Sequence, residues 1–441
     1  MSKLTLSLAA ALIAASSAAE TPGAKTEIVV LKAARLFDGK SDVALKSAVV
    51  VIEGSKIKAV GSGLPVPAGA KVIDLGDATL LPGFIDAHTH ITGEAGDNWY
   101  QDQVDDLRRV LPEKAIRAAE HARRTLLAGF TSLRDVGSSD ALDVGLRNAI
   151  NAGVTPGPRL LVAGYGLGAR GGHCDESGFP YLLFGRESGI AQGVAGGADG
   201  FRDAVRMQIK YGADLIKTCA TGGVLSLSDE VDTPQLTQDE ANALVDEAHR
   251  LRKRTAAHAH GAEGAKVAIR AGIDSIEHGS FLDDEALRMM KDKGTYLVPT
   301  AMASRTVGQK AKSFPPEIAA KAQAAAAGHA ATLRKAIQMG VKIAFGTDSA
   351  VSPHGLNAQE FGLLVDHGMT PAGALKAGTS VAATLLGLDR LLGSLEPGKE
   401  ADLVAVPGDP LADIHLTEKV RFVMRSGKVY RNDSGTSGGP R

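Results

Sequence analysis

The chain has 441 residues, 44% of them hydrophobic and 22% charged, with a formal net charge of -1. That length can bury a large core, so one big domain with a smaller companion is expected rather than a single small fold. The charge balance, the lack of any basic run and the lack of a G-x-x-x-x-G-K-[ST] phosphate loop exclude nucleic acid as a partner and point to small substrates.

The first element in chain order is a leader. Met1, Ser2 and Lys3 precede an apolar stretch from Leu4 to Ala15, and small residues follow as far as Ala19. This is the layout of a cleavable secretory signal. A membrane span needs ~20 apolar residues, so residues 1–19 are expected to be cut off near Ala19. The mature protein would be periplasmic or secreted, with no membrane anchor. An oxidising compartment permits Cys174 and Cys219 to pair, yet a chain this long folds without staples, and two buried thiols are the plain expectation.

Residues 26–80 carry short apolar runs (IVVLKAARLF, AVVVIEGSKIKAV, KVIDL) separated by glycine and polar residues. They read as antiparallel strands forming the first part of a small β-sandwich. Over residues 81–389 eight strand-like runs alternate with amphipathic segments: LLPGFIDAH, FTSLRDV, RLLVAGY, ADLIKTCA, RTAAHA, DSIEHG, TYLVPT and KIAFGTD. The fold class is α/β, a (β/α)8 barrel of the TIM type. Thr237 with Glu240 forms a capping box, Thr370-Pro371 opens another helix, and Pro316 to Met339 reads as one long helix stopped by Gly340. Short strands return over residues 390–432 as the second part of the β-sandwich. Residues 433–441 read as a disordered tail.

In such a barrel, functional residues sit where the strands end. His88 and His90 close the first run at a spacing of two, which puts both imidazoles on one side of the chain. Alone, that pair could be two polar residues leaving a strand. Lys217 lies inside the apolar LIKTCA of the fourth run, where an unpaired ammonium is costly, and an ion pair with a carboxylate would be its ordinary explanation. His258, His278 and Asp348 then end the fifth, sixth and eighth runs. Six such residues at matching strand ends point to a metal-binding site. His173, in ARGGHCDESG after the third run, is the candidate donor to a carbonyl oxygen in the tetrahedral state.

GFIDAHTH, the strand-four lysine, HAHG, IEHG and FGTDS resemble the amidohydrolase superfamily, in particular its imidazolonepropionase-related peptidase branch, over nearly the whole mature chain. The resemblance implies two divalent ions, usually zinc, and a Lys217 carbamylated by carbon dioxide whose new carboxylate bridges them. It implies that His88, His90 and Asp348 hold the more buried ion and His258 and His278 the other; HAHG offers two histidines, and His258 is taken as the ligand with His260 behind it near the substrate, the exchange of these two being the alternative. Ions about 3.5 to 4 Å apart that share a water supply hydroxide near neutral pH, and Asp348 would move its proton to the leaving amine. Deaminases of the superfamily carry H-x-x-E at strand five; here Gly261 stands in the place of that glutamate, which disfavours deamination.

ATGGVLS, HAHGAEG and DSIEHGSFLDDE are similar to segments of exported binuclear carboxypeptidases and dipeptidases, whose relatives include ochratoxin-hydrolysing enzymes. The implied substrate is a short peptide or N-acyl amino acid with a free α-carboxylate, cleaved to release its C-terminal residue. Arg170 and Arg305 are the candidate partners of that carboxylate. Cyclic amidase, imidazolonepropionase-like or lactonase activity on the same site is the alternative, and a non-catalytic metal-binding protein is a third reading. Relatives of this architecture imply a homo-oligomer, an octamer among the expected states.

Overall fold

The computed structural model describes residues 27–433 apart from 176–178, 181, 182, 184–186 and 228; the expected leader and residues 434–441 of the expected tail lie outside the described residues. Strands β1 (Ile28–Leu36), β2 (Leu45–Glu53), β3 (Lys56–Ser62), β4 (Lys71–Asp74) and β5 (Ala78–Pro82) come from the first part of the chain. Near the other end, three more strands, Leu403–Pro407, Phe422–Arg425 and Lys428–Asn432, complete one eight-stranded sheet. The expected sandwich is thus a single hydrogen-bonded sheet. The reason is β1, which pairs with β2 along one side and with β4 and then β5 along the other. Residues 397–401 bond back to the β2–β3 turn, as in Ala401 N–H to the Ser55 carbonyl at 2.7 Å, and so curl the sheet round its own core.

Strand periodicity divides that sheet between two cores. Leu403 and Ala405 face the sheet's own core with Leu31, Val50 and Leu80, whereas Val404 and Val406 join the main core of the molecule. Arg159 to Asp402 at 2.9 Å adds a polar tie between the two parts.

The main part begins with β6 (Phe84–Thr89), β7 (Phe130–Asp135) and β8 (Arg159–Val162), which form a parallel sheet. The two-residue strands β9 (Gly168–Ala169) and β10 (Val194–Ala195) pair beside it. A second parallel sheet follows, made of β11 (Leu215–Cys219), β12 (Arg254–Gly261), β13 (Ser275–Phe281) and β14 (Tyr296–Val298). Single parallel bridges continue the pairing: Leu167 with Thr218, Leu297 with Ile343, and Thr89 with Ser349. The eighth predicted run, residues 342–348, is held by these bridges and by hydrogen bonds such as Ala87 N–H to the Phe345 carbonyl, not by a regular ladder. Its end leaves extended geometry, since Asp348 has φ 56° and Ala350 φ 136°.

Helices connect these strands as the capping signals require. Helices α1 (Trp99–Arg108), α2 (Leu111–Leu127), α3 (Leu142–Asn151) and α4 (Gly197–Lys210) precede α5 (Gln238–Arg250), where the Thr237–Glu240 capping box is present. After α6 (Ala262–Ala271), α7 (Asp284–Lys293) and α8 (Ala301–Lys310), the long helix α9 runs Pro316–Met339 and stops at left-handed Gly340. Thr370 caps its helix as expected, but a π-helical turn, Ala377–Val381, interrupts the segment read as continuous. No helix among the described residues is long and apolar enough to cross a membrane.

Candidate metal centre

His88 and His90 leave β6 on one side of the chain, and Asp348 is brought to them by a buried polar knot. Asp86, in the middle of β6, accepts the backbone N–H groups of His88 and Thr347, both at 3.1 Å. It also accepts the Thr347 hydroxyl at 2.6 Å and the Asn357 amide at 2.8 Å. Burial raises its carboxyl to about 6, against these four donors. Gly346 permits the close approach, because a Cβ there would lie 2.3 Å from Val298 and 2.9 Å from the His88 Cβ.

The result is a convergence of ligand atoms. His88 Nε2 and His90 Nε2 lie 3.6 and 3.5 Å from Asp348 Oδ1. All three ligand atoms fall within 4.8 Å of one another, a group able to hold a metal ion. The other ring nitrogens are already committed. His90 Nδ1 donates to the Gly137 carbonyl at 2.8 Å and His88 Nδ1 to Glu277 Oε2 at 2.7 Å, which leaves each Nε2 with a lone pair facing Asp348. Burial is the main cause that lowers both histidines, and Lys217 adds to it, so they are neutral and fit to be ligands.

Glu277 was missed in the sequence because it looks like an interior residue of IEHG. It is fully buried, and its second oxygen accepts from Arg134 at 2.8 Å and from Ser275 at 2.5 Å. Arg134 in turn donates to the Ala87 carbonyl beside His88. An ion pair buried this deeply orients the His88 ring.

The other expected ligands gather against this group. The His278 ring centroid is 4.9 Å from that of His88 and 4.6 Å from that of His258. His258 Nε2 donates to the Gly222 carbonyl at 3.1 Å, which leaves its Nδ1 bare; His278 Nδ1 is bonded to Thr300 Oγ1 at 2.8 Å, which leaves its Nε2. His278 (φ 70°) and Asp348 (φ 56°) both hold left-handed backbone, a strain of roughly 1–3 kcal/mol each that clusters at functional sites. Lys217 is 4% exposed, and burial lowers its ammonium toward the neutral amine. His260 is also present, its Nδ1 2.8 Å from Ser280 Oγ and its ring 5.1 Å from that of His278.

His173 joins the cluster through tertiary contacts. Its ring lies 4.2 Å from that of His258, and the space it fills exists because residue 223 is glycine, where a Cβ would stand 2.1 Å from the imidazole. Burial lowers it to about 4, so the resting ring is neutral. The next residue, Cys174, forms a disulfide with Cys219 at the end of β11. The two cysteines, whose pairing the sequence leaves open, thus form a bridge, since the fold sets their Cα atoms 5.8 Å apart. His329, given no role in the sequence reading, turns inward from α9 and meets the Pro299 carbonyl at 2.6 Å.

The two arginines are not brought to the site. Arg170 is 72% exposed and faces Glu187 at 3.7 Å, while Arg305 is tied to Gln359 at 2.5 Å and does not line the cavity. Each sits on a segment that borders the site, but its side chain turns away.

A cavity of about 470 Å³ opens over the histidines. Its lining includes an apolar group built from Val224, Leu225, Ala303, Val307, Ala325 and Val351. Among the described residues that line it, Lys217 is the one lysine or arginine and Asp348 the one carboxylate. Another cavity, of about 480 Å³, lies between α1, α2 and residues 92–94 and contains none of the expected ligands.

The sequence profile of the amidohydrolase family matches residues 79–430. Ochratoxinase of Aspergillus niger is 34% identical over 369 residues, which cover 80% of this chain and 75% of that protein. Among solved structures, an Xaa-Pro dipeptidase with bound methionine in the active site is 40% identical, with a TM-score of 0.87 over 92% of this chain and 100% of that one. A prolidase complexed with N-methylphosphonate-L-proline is 31% identical, with a TM-score of 0.82 over 92% of this chain and 100% of that one.

Proposed function

The chain belongs to the amidohydrolase family and is a hydrolase, and from that premise we propose that it hydrolyses the amide of short peptides or N-acyl amino acids that end in an apolar residue with a free α-carboxylate. The observation that supports this most is the pairing of a histidine–aspartate cluster with an apolar wall in one cavity. Among the described residues of the lining, a basic side chain on the leaving residue would find no counter-charge apart from Asp348. Ochratoxinase, the Xaa-Pro dipeptidase and the prolidase point the same way. The parallel strands and their bridging segments are read as a (β/α)8 barrel, in keeping with these neighbours.

The donor set suits two divalent ions, zinc being the usual choice. His88, His90 and Asp348 would hold one, His258 and His278 the other, and Lys217, carbamylated by carbon dioxide, both. The neutral imidazoles support this, as does a buried amine held toward its uncharged, nucleophilic form. Bound ions supply polarisation of the scissile carbonyl and acidification of a water. Asp348, raised by burial against the pull of His90 and Lys217, takes a proton and returns it to the leaving amine. His173 would turn Nε2 to the amide and, taking up a solvent proton as negative charge develops on the carbonyl oxygen, donate a hydrogen bond there and release the proton when that charge collapses. With Arg170 and Arg305 turned away, hydroxyls that line the cavity, those of Ser138, Ser139 and Ser304, would meet the α-carboxylate.

Export belongs to the same proposal, and the Cys174–Cys219 disulfide supports an oxidising compartment. Self-association does too, and light scattering tests it. For the activity, the test is a panel of dipeptides and N-acyl amino acids ending in Leu, Met, Phe, Arg or Lys, with hydantoins and lactones, assayed with zinc. Cleavage of the apolar members is expected. Turnover of rings alone, or of basic C termini alone, would replace this reading.

A further inference from the structure

Three buried or half-buried side chains behind His173 have no part in the chemistry above: Ser226, Asp229 and Gln235. Ser226 Oγ donates to Asp229 Oδ1 at 2.6 Å, and Gln235 Nε2 donates to Asp229 Oδ2 at 2.9 Å. Both donors also reach His173. Ser226 Oγ lies 3.0 Å from the ring Nδ1, and Gln235 Oε1 accepts the His173 backbone N–H at 2.9 Å. One carboxylate therefore holds the ring by one oxygen and the backbone by the other.

The carboxylate is itself well anchored. Its side chain is 6% exposed, and Lys321 Nζ reaches Oδ1 at 3.4 Å while donating to the carbonyls of Gly223, Ser226 and Asp229 at 2.8, 2.6 and 2.9 Å. A hydroxyl has a single proton. At 2.6 Å from an ionised oxygen, that of Ser226 goes to Asp229, so toward His173 the hydroxyl can only accept. The proton of the neutral imidazole is then on Nδ1, and Nε2 is the nitrogen turned to the cavity. The logic is that of a carboxylate orienting a catalytic histidine, with a serine interposed.

We propose that Asp229 is a positioning residue, which fixes the orientation and the Nδ1–H tautomer of His173 through Ser226 and its backbone through Gln235. The tautomer stands on geometry alone; only its kinetic consequence rests on the hydrolase reading. Long-range 1H–15N spectra of [15N]histidine-labelled, zinc-loaded protein, with His173 assigned by His173→Gln, read the tautomer directly. Wild type is expected to show a protonated Nδ1, and Asp229→Asn and Ser226→Ala to lose that bias. On N-acetyl-leucine, both variants should lower kcat about 10- to 100-fold with KM nearly unchanged, and Asp229→Glu should recover part of the loss.

A protonated Nε2 in wild type, or an unchanged tautomer and kcat in both variants, would overturn the proposal. So would a fall in kcat matched by equal loss of metal and of thermal stability, which would make Asp229 merely structural. Should Asp229→Asn fail to fold, Ser226→Ala decides, because it leaves the Gln235 link in place. Wild-type protein that cleaves no amide but shows the Nδ1 proton would reject the function and keep the relay.

Discussion

Replacing Glu277 by glutamine removes one negative charge from the most buried ion pair near the site. Arg134 keeps its positive charge at 3% exposure with its partner neutralised, and His88 Nδ1 exchanges a carboxylate acceptor at 2.7 Å for an amide. Breaking a buried pair costs about 3–5 kcal/mol, and the lower end is expected because glutamine retains some of the hydrogen bonds. Loss of a partner that orients a metal-binding histidine weakens metal affinity about 10- to 100-fold. Guanidinium denaturation of the metal-stripped protein measures the first effect, and competition with a chromophoric chelator measures the second. Glu277→Leu combined with Arg134→Met should regain most of the stability, since an apolar pair needs no charge balance, without regaining metal affinity. If Glu277→Gln leaves both apo stability and metal affinity unchanged, the role assigned to this buried pair is wrong.

The remaining expectations concern the frame around the site. Cys174→Ser with Cys219→Ser opens a loop of 45 residues, which by chain entropy destabilises by about 4 kcal/mol; denaturation curves against oxidised wild type should show that loss, and none would mean the bridge constrains nothing. Asp274 is placed where the strands start, opposite the site. Burial would raise it, but His249, Arg254 and Thr255 outweigh burial and hold it at about 2, below its ordinary 3.8. Its folded-state pKa is depressed, so its contribution of about 2 kcal/mol is present above pH ~4 and lost as pH falls toward ~2. Asp274→Asn should therefore be less stable than wild type near neutrality, and the gap between their denaturation midpoints should close across that acid window. A gap independent of pH would contradict the assignment.

The sequence showed residues that are paired with a strand end, because position at the end of a strand-like run and residue type are both local facts. His88, His90, Lys217, His258, His278 and Asp348 could all be picked out that way, and so could the ends of α5 and α9. What it could not show is direction across the fold. Arg170 and Arg305 had suitable chemistry in suitable segments, but where a guanidinium points depends on Glu187 and Gln359, distant in sequence or on another helix. Glu277 and Arg134 are 143 positions apart and acquire meaning only as a pair. His329 faces the cavity because α9 packs beside β13, and helical spacing alone does not identify which face that is. The disulfide likewise depends on a loop meeting the end of β11 across a separation of 45 residues.

Lys217 offers the most direct test of the proposal that the site holds two ions. Metal content per chain, measured side by side for wild type and Lys217→Ala by elemental analysis, should be close to two divalent ions in the first and fall to one or fewer in the second. Activity should vanish with it and return in part with added bicarbonate or a short carboxylic acid. Two ions and full activity in Lys217→Ala would contradict the account.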